Sequence, residues 1–82
     1  MEIKILGKGC PRCEEVGKRT INALAELNVV ADVRKVKEPK EISSYGVFNT
    51  PGLIINNKIK SQGRIPSVSE IKGWIKEETP GE

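Results

Sequence analysis

Histidine is absent from this sequence, and cysteine occurs only twice, as Cys10 and Cys13. A closed structural zinc site needs four ligands, so one copy of these residues cannot complete a cysteine and histidine site. A structural disulfide is improbable in a reducing cell interior, and a bridge between these two positions would close a loop too short to stabilise the fold much. The cysteine count therefore favours thiol redox chemistry or the binding of a soft metal ion.

Long apolar runs, clustered charge and aromatic rings are also scarce. The apolar stretches are only a few residues long, whereas a membrane helix needs about 20. The net charge of +3 comes from 14 basic and 11 acidic residues spread along the chain, with one Trp, one Tyr and one Phe. A nucleic-acid surface needs clustered positive charge and stacking rings, so we expect neither nucleic-acid nor membrane binding. Nothing resembles a signal peptide, so we expect a cytoplasmic protein.

The first half of the chain has the pattern of a strand, a helix and a second strand. Glu2–Leu6 alternates polar and apolar residues, which is typical of a strand. Pro11–Leu27 carries apolar residues at spacings of three and four, which predicts an amphipathic helix capped by Asn28. Residues 29–36 are rich in β-branched side chains and predict a strand, whose charges suit an exposed edge.

The second half predicts a short helix, a hairpin and a last helix. Pro39 begins a helix that Gly46 ends, and residues 53–55 form a buried strand joined by an Asn56-Asn57 turn to a strand over residues 58–61. Ser67 and Glu70 have capping-box spacing, so we expect the last helix over residues 67–76. The predicted order is βαβαββα, with a right-handed crossover between parallel first strands. We therefore expect one α/β domain over residues 1–76 and a frayed tail over residues 77–82.

The motif Cys10-Pro11-Arg12-Cys13 lies between the first strand and the first helix. A thiolate at Cys10 would be favoured by the unpaired N–H groups at the helix start, with positive charge from Arg12 and Lys8 nearby. Pro11 suits the first helical turn because its missing N–H costs nothing there. These effects predict a lowered pKa for the Cys10 thiol, and the thiolate is the species that attacks disulfides.

Cys13 falls on the apolar stripe of the predicted helix, so we expect it to be shielded from solvent. A sheltered thiol one turn from an exposed, reactive one suits a resolving role, in which Cys13 attacks the mixed disulfide formed at Cys10. We therefore predict Cys10 as the nucleophile and Cys13 as the resolving cysteine, with the Cys10–Cys13 disulfide as the redox group and no bound cofactor or metal.

The C-P-x-C motif, the βαβαββα order and Thr50-Pro51 before a buried strand resemble the thioredoxin and glutaredoxin superfamily. In length and motifs the chain is most similar to the small glutaredoxin-like thioredoxins, or redox-active disulfide proteins, of archaea and bacteria. That resemblance implies a minimal thioredoxin fold, with a four-stranded mixed sheet flanked by helices, and a thiol–disulfide oxidoreductase activity.

The resemblance also implies roles for residues outside the cysteine motif. It implies a cis peptide bond before Pro51 and substrate backbone recognition by Thr50. Gly63 precedes the last helix, where glutaredoxins approach glutathione, and Lys8 resembles a glutaredoxin lysine near the first cysteine.

Three departures from the family pattern qualify the implied roles. Gly9 stands where thioredoxins carry Trp, the first strand lacks their buried acid, and the glutaredoxin Gly-Gly and acidic pair is missing around Gly63. Glu14 and Glu15 follow Cys13 and are predicted to be solvated helix surface.

The expected activity is reduction of disulfides in proteins or small molecules, by a monomer. An external reductant, either a flavin-dependent reductase or glutathione, must restore the dithiol. Two alternatives stay open: a soft-metal carrier that binds Cu(I)-type ions through the cysteine thiolates, and a redox-sensing module without turnover. Heavy-metal-associated domains run βαββαβ and end in a strand, whereas the present pattern ends in a helix.

Overall fold

The computed structural model describes residues 1–9 and 11–78. The elements are β1 (Glu2–Leu6), α1 (Pro11–Leu27), β2 (Asp32–Val36), α2 (Pro39–Ser44), β3 (Gly52–Ile55), β4 (Lys58–Gln62) and α3 (Val68–Glu78). This βαβαββα order is the predicted one, and it ends in a helix as expected. Across these described ranges, no helix is both long and apolar enough to cross a membrane.

The four strands form one mixed sheet in the order β2-β1-β3-β4. β1 and β2 are parallel and are joined across α1, whereas β3 is antiparallel to both β1 and β4. In this register Leu6 pairs with Val36 on one side and with Gly52 on the other. The segments that follow β1 and β2 and the segment that precedes β3 therefore meet at one edge of the sheet.

Both faces of the sheet are covered, because β1 and β3 alternate apolar side chains between them. On one face, β1 and β3 pack against α1 and α3 through Ile3, Ile5, Leu53, Ile55, Val16, Leu24, Ile71 and Ile75. On the other face, α2 and the segment after it cover Leu6, Val36 and Ile54 with Ile42 and Val47. Trp74 is partly buried against the first of these cores.

The end of α1 corrects the predicted start of the second strand. Asn28 caps the helix in the left-handed conformation, with φ 59°. The Asn28 N–H donates to the Ala25 carbonyl at 3.3 Å and the Val29 N–H donates to the Leu24 carbonyl at 3.0 Å, which is a Schellman motif. Because the cap uses residues 28 and 29, β2 begins only at Asp32, and Val30 is left 94% exposed.

The turn and capping predictions in the second half are confirmed. Asn56 and Asn57 both have positive φ, 50° and 66°, as a tight turn between β3 and β4 requires. At the start of α3 the Glu70 N–H donates to Ser67 Oγ and the Ser67 N–H donates to Glu70 Oε1, each at 3.1 Å. Local sequence signals were sufficient for these two features.

The prediction of a frayed tail from residue 77 is wrong for Glu77 and Glu78, which belong to α3. Glu78 Oε2 lies 3.0 Å from Lys60 Nζ and 3.3 Å from Lys58 Nζ, so the helix end is held against β4. The hydrogen bond from Lys60, followed by that from Lys58, holds the pKa of the Glu78 carboxyl below its usual range. Residues 79–82, the rest of that predicted tail, lie outside the described residues.

Candidate active site

The predicted site residues that the structure describes lie around the end of the sheet where β1 and β2 end and β3 begins. The Gly7 N–H donates to the Val36 carbonyl at 2.9 Å, which fastens the loop after β1 to the end of β2. Cys10, predicted as the nucleophile, lies outside the described residues, and its role stays a prediction. Its chain neighbours Gly9 and Pro11 are both exposed.

Cys13 occupies the first turn of α1 and is 5% exposed, so the expected shielding is observed. Its side chain lies against Gly7. A Cβ at Gly7 would collide with Cys13 Sγ and would lie 3.1 Å from Cys13 Cβ. The same Cβ position is 3.9 Å from Thr50 Cβ. Gly7 is therefore the point at which the loop after β1, the start of α1 and the segment before β3 meet.

The peptide bond between Thr50 and Pro51 is cis, the isomer that the family resemblance implied. Pro51 is fully buried and Thr50 is exposed. Thr50 lies near Gly7, which in turn contacts Cys13, although Thr50 is far from both in sequence. The substrate-binding role assigned to Thr50 and Pro51 stays a prediction.

Gly63 follows β4 at the same edge of the sheet. Its N–H donates to the Pro51 carbonyl at 3.0 Å, and its φ is +80°. A Cβ on Gly63 would lie 3.1 Å from Asn49 Cβ, so a side chain here would be crowded as well as strained. The local backbone conformation and packing therefore favour glycine at position 63. The predicted contact of Gly63 with substrate stays a prediction.

The residues predicted to tune the thiolate lie on the surface around this edge. Pro11 and Arg12 are exposed in the first turn of α1, and Lys8 is exposed in the loop after β1. Lys8 also lines a groove together with Thr50. Their effect on the Cys10 thiol stays a prediction.

Two lysines from β2 and its end reach this site, and the sequence interpretation missed both. Lys35 Nζ lies 3.3 Å from Glu14 Oε2, so Glu14 is exposed helix surface, as predicted, but is also ion-paired. A Cβ on Gly9 would lie 3.8 Å from Lys37 Cε and 3.9 Å from Lys37 Nζ. Both lysines line a small cavity with Cys13, of about 10 Å³, which is at the lower limit for holding one water molecule. The parallel register of β1 and β2 is the signal that could have revealed them.

Phe48 is the other residue that sequence reasoning passed over. It lies two residues before Thr50 and is 79% exposed, although large apolar residues are usually buried. Its N–H donates to Gln62 Oε1 at 3.2 Å, which ties the segment before β3 to the end of β4.

Metal ligands do not gather in the part of the chain that the structure describes. Within residues 1–9 and 11–78, no three His, Cys, Asp or Glu side chains lie close enough together to hold a metal ion.

Comparison with known proteins agrees with this fold. A family model described as "Thioredoxin domain" matches residues 1–76. A protein named thioredoxin from Methanocaldococcus jannaschii is 40% identical over 74 residues, which cover 90% of this chain and 85% of the relative. A thioredoxin from Methanothermobacter thermautotrophicus is 38% identical over 72 residues, which cover 88% of this chain and 94% of the relative. The chain therefore belongs to the thioredoxin family, whose members are thiol–disulfide oxidoreductases.

Proposed function

We propose that this protein reduces disulfides in target proteins by dithiol exchange through Cys10 and Cys13. The observation that carries the proposal is the position of Cys13, buried in the first turn of α1 against Gly7 and close to Thr50 before the cis bond to Pro51. A target disulfide seated beside Thr50 would be next to the cysteine motif. Membership of the thioredoxin family supports the reaction class.

The first step is attack by the Cys10 thiolate on one sulfur of the target disulfide. A mixed disulfide forms, and the second sulfur of the target leaves as a thiolate that takes up a proton. Cys13 then loses its proton and attacks Cys10, which releases the first target sulfur as a thiolate that is also protonated. The target gains two electrons and two protons, and the protein is left with the Cys10–Cys13 disulfide.

An external reductant must return two electrons to the protein after each cycle. A flavin-dependent reductase or glutathione has suitable chemistry. Reduction of targets is favoured over oxidation where the surrounding thiol pool is reducing, as it is in the cytoplasm. Lys8 and Arg12 would support the thiolate at Cys10 through their positive charge.

Equilibration with defined ratios of oxidised and reduced dithiothreitol tests this proposal. We expect reversible protection of two thiols from alkylation, with a potential between about −270 and −200 mV. Cys13→Ser should trap a mixed disulfide with a target peptide, and Cys10→Ser/Cys13→Ser should fold normally, as judged by circular dichroism, but exchange nothing. Retention of a soft metal without any reversible disulfide would contradict the proposal.

A further inference from the structure

A groove runs from the candidate active site towards α2. It has a volume of about 310 Å³, near the lower end of the range of small-molecule pockets (roughly 300–1,000 Å³). We call it the Phe48 groove; its lining includes Lys8, Ile42, Val47, Phe48 and Thr50. It therefore begins at Thr50, the residue proposed to contact the substrate.

The floor of the Phe48 groove is apolar and its backbone is anchored. Ile42 and Val47 are buried, and the Val47 N–H donates to the Ile42 carbonyl at 3.4 Å. The next N–H, that of Phe48, is bound by Gln62, as described above. The backbone is therefore hydrogen-bonded at both Val47 and Phe48, while Phe48 itself is 79% exposed. An anchored, exposed ring is suited to cover an apolar side chain with little loss of conformational freedom.

Among the described residues that line the Phe48 groove, Lys8 is the only charged one. Its ammonium forms no ion pair with any of residues 1–9 and 11–78, whereas Lys35 is paired with Glu14. A carboxylate on a bound segment would meet an unpaired positive charge next to the apolar floor. The groove is thus complementary to an apolar side chain with an acidic neighbour.

We propose that the Phe48 groove determines target specificity: it binds an extended segment of the target protein in which the disulfide cysteine has a bulky apolar residue on one side and an acidic residue on the other. The apolar side chain packs between Phe48 and the floor formed by Ile42 and Val47, and the carboxylate pairs with Lys8. This inference rests on the proposed function, because the groove can select targets only if the protein exchanges disulfides.

Single-turnover reduction of synthetic peptide disulfides tests the inference without requiring the natural reductant. Protein pre-reduced with dithiothreitol and desalted is mixed with disulfide-linked peptide homodimers. In the first peptide leucine precedes cysteine and glutamate follows it; in the second serine replaces leucine; in the third lysine replaces glutamate. We expect the first peptide to be reduced about tenfold faster than the second, because losing an apolar contact in a pocket has an effect of at least that size.

Variants of groove residues, each with a matched control on α1, test whether the groove causes the preference among the peptides. Phe48→Ser should bring the ratio of the reduction rates of the leucine and serine peptides close to one. Ile21→Ser, at an apolar residue of α1 that is 53% exposed, should leave this ratio unchanged. Lys8→Gln should abolish the preference for glutamate over lysine, and Lys18→Gln on α1 should not. An effect of Lys8 on the thiolate alone would change the rates with all three peptides by the same factor.

The possible failures are distinguishable. Equal rates with the three peptides in the wild type, or an unchanged ratio in Phe48→Ser, would overturn the inference and leave the proposed function intact. Faster reduction of oxidised glutathione than of the leucine peptide would also overturn it, since the site would then favour a small thiol. Failure to reduce the peptides and hydroxyethyl disulfide alike would overturn the proposed function and the inference with it.

Discussion

The absence of a side chain at Gly7 allows Cys13 to occupy its buried position. The loop after β1 passes so close to α1 that a single added methyl group would overlap Cys13 Sγ. Gly73 in α3 is the opposite case, because nothing lies within 4 Å of the position its Cβ would take. Steric crowding therefore requires a glycine at position 7, whereas packing does not require one at position 73.

Alanine at these two positions should have effects of opposite sign. We expect Gly7→Ala to lower the free energy of unfolding by about 1–3 kcal/mol, because the methyl group overpacks a buried contact. Gly73→Ala should raise it by about 1 kcal/mol, because alanine is the better residue in a helix interior. Urea unfolding of both variants checks this, and a Gly7→Ala variant as stable as the wild type would show that Cys13 can move aside.

The amino terminus of α3 is stabilised both by a capping box and by an ion pair between Arg64 and Glu70. Glu70 accepts the Ser67 N–H in the capping box and also accepts two hydrogen bonds from the Arg64 guanidinium, at 3.1 and 2.8 Å. The Arg64 hydrogen bonds, followed by that of Ser67, lower the pKa of Glu70 from 4.5 to about 2. The contribution of this carboxylate to stability is therefore present above pH 4.5 and is lost as the pH falls towards about 2.

Replacing Glu70 by glutamine should test this pH dependence, since glutamine keeps the capping acceptor but removes the charge. We expect Glu70→Gln to be less stable than the wild type near neutral pH, and the difference to shrink as the pH falls from 4.5 towards about 2. Arg64→Gln should cause a similar loss, and the double variant should lose little more, because both changes break the same pair. Urea unfolding across this pH range is the measurement. A difference that stays constant with pH would refute the assignment.

At the scale of the whole molecule, stability rests mainly on the core beneath α1 and α3. Ile71 of α3 lies in this core and is 0% exposed. The shorter α2 covers a smaller core on the other face of the sheet. A domain of this size has a free energy of unfolding of only about 5–15 kcal/mol, so one large core side chain is a substantial part of it.

Truncation of Ile71 should therefore destabilise the entire domain in one transition. We expect Ile71→Ala to lower the free energy of unfolding by about 2–5 kcal/mol through lost burial and a residual cavity. Ile21→Ala, on the exposed side of α1, should change it by less than about 0.5 kcal/mol. Similar small losses for the two variants in thermal or urea unfolding would contradict the placement of the main core.

Much of the fold was predictable because its signals are local. The alternation in β1, the apolar stripe of α1 and the Ser67 and Glu70 capping box each lie within a few residues, and the structure has all of them where predicted. The start of β2 was not predictable in this way. Val29 and Val30 have strand propensity, but the Val29 N–H is hydrogen-bonded to the Leu24 carbonyl in the cap of α1, so the strand begins later.

The sequence by itself determined the element order, the turn at Asn56 and Asn57, and the position of Cys13 in the first turn of a helix, because each depends on neighbours along the chain. Only the tertiary structure decided which distant residues share the site. Lys37 reaches Gly9 because β1 and β2 are parallel in one register, and Phe48 lines a groove with Lys8 because β3 returns antiparallel beside β1. Strand pairing brings such residues together through contacts across the sheet, which no local pattern encodes.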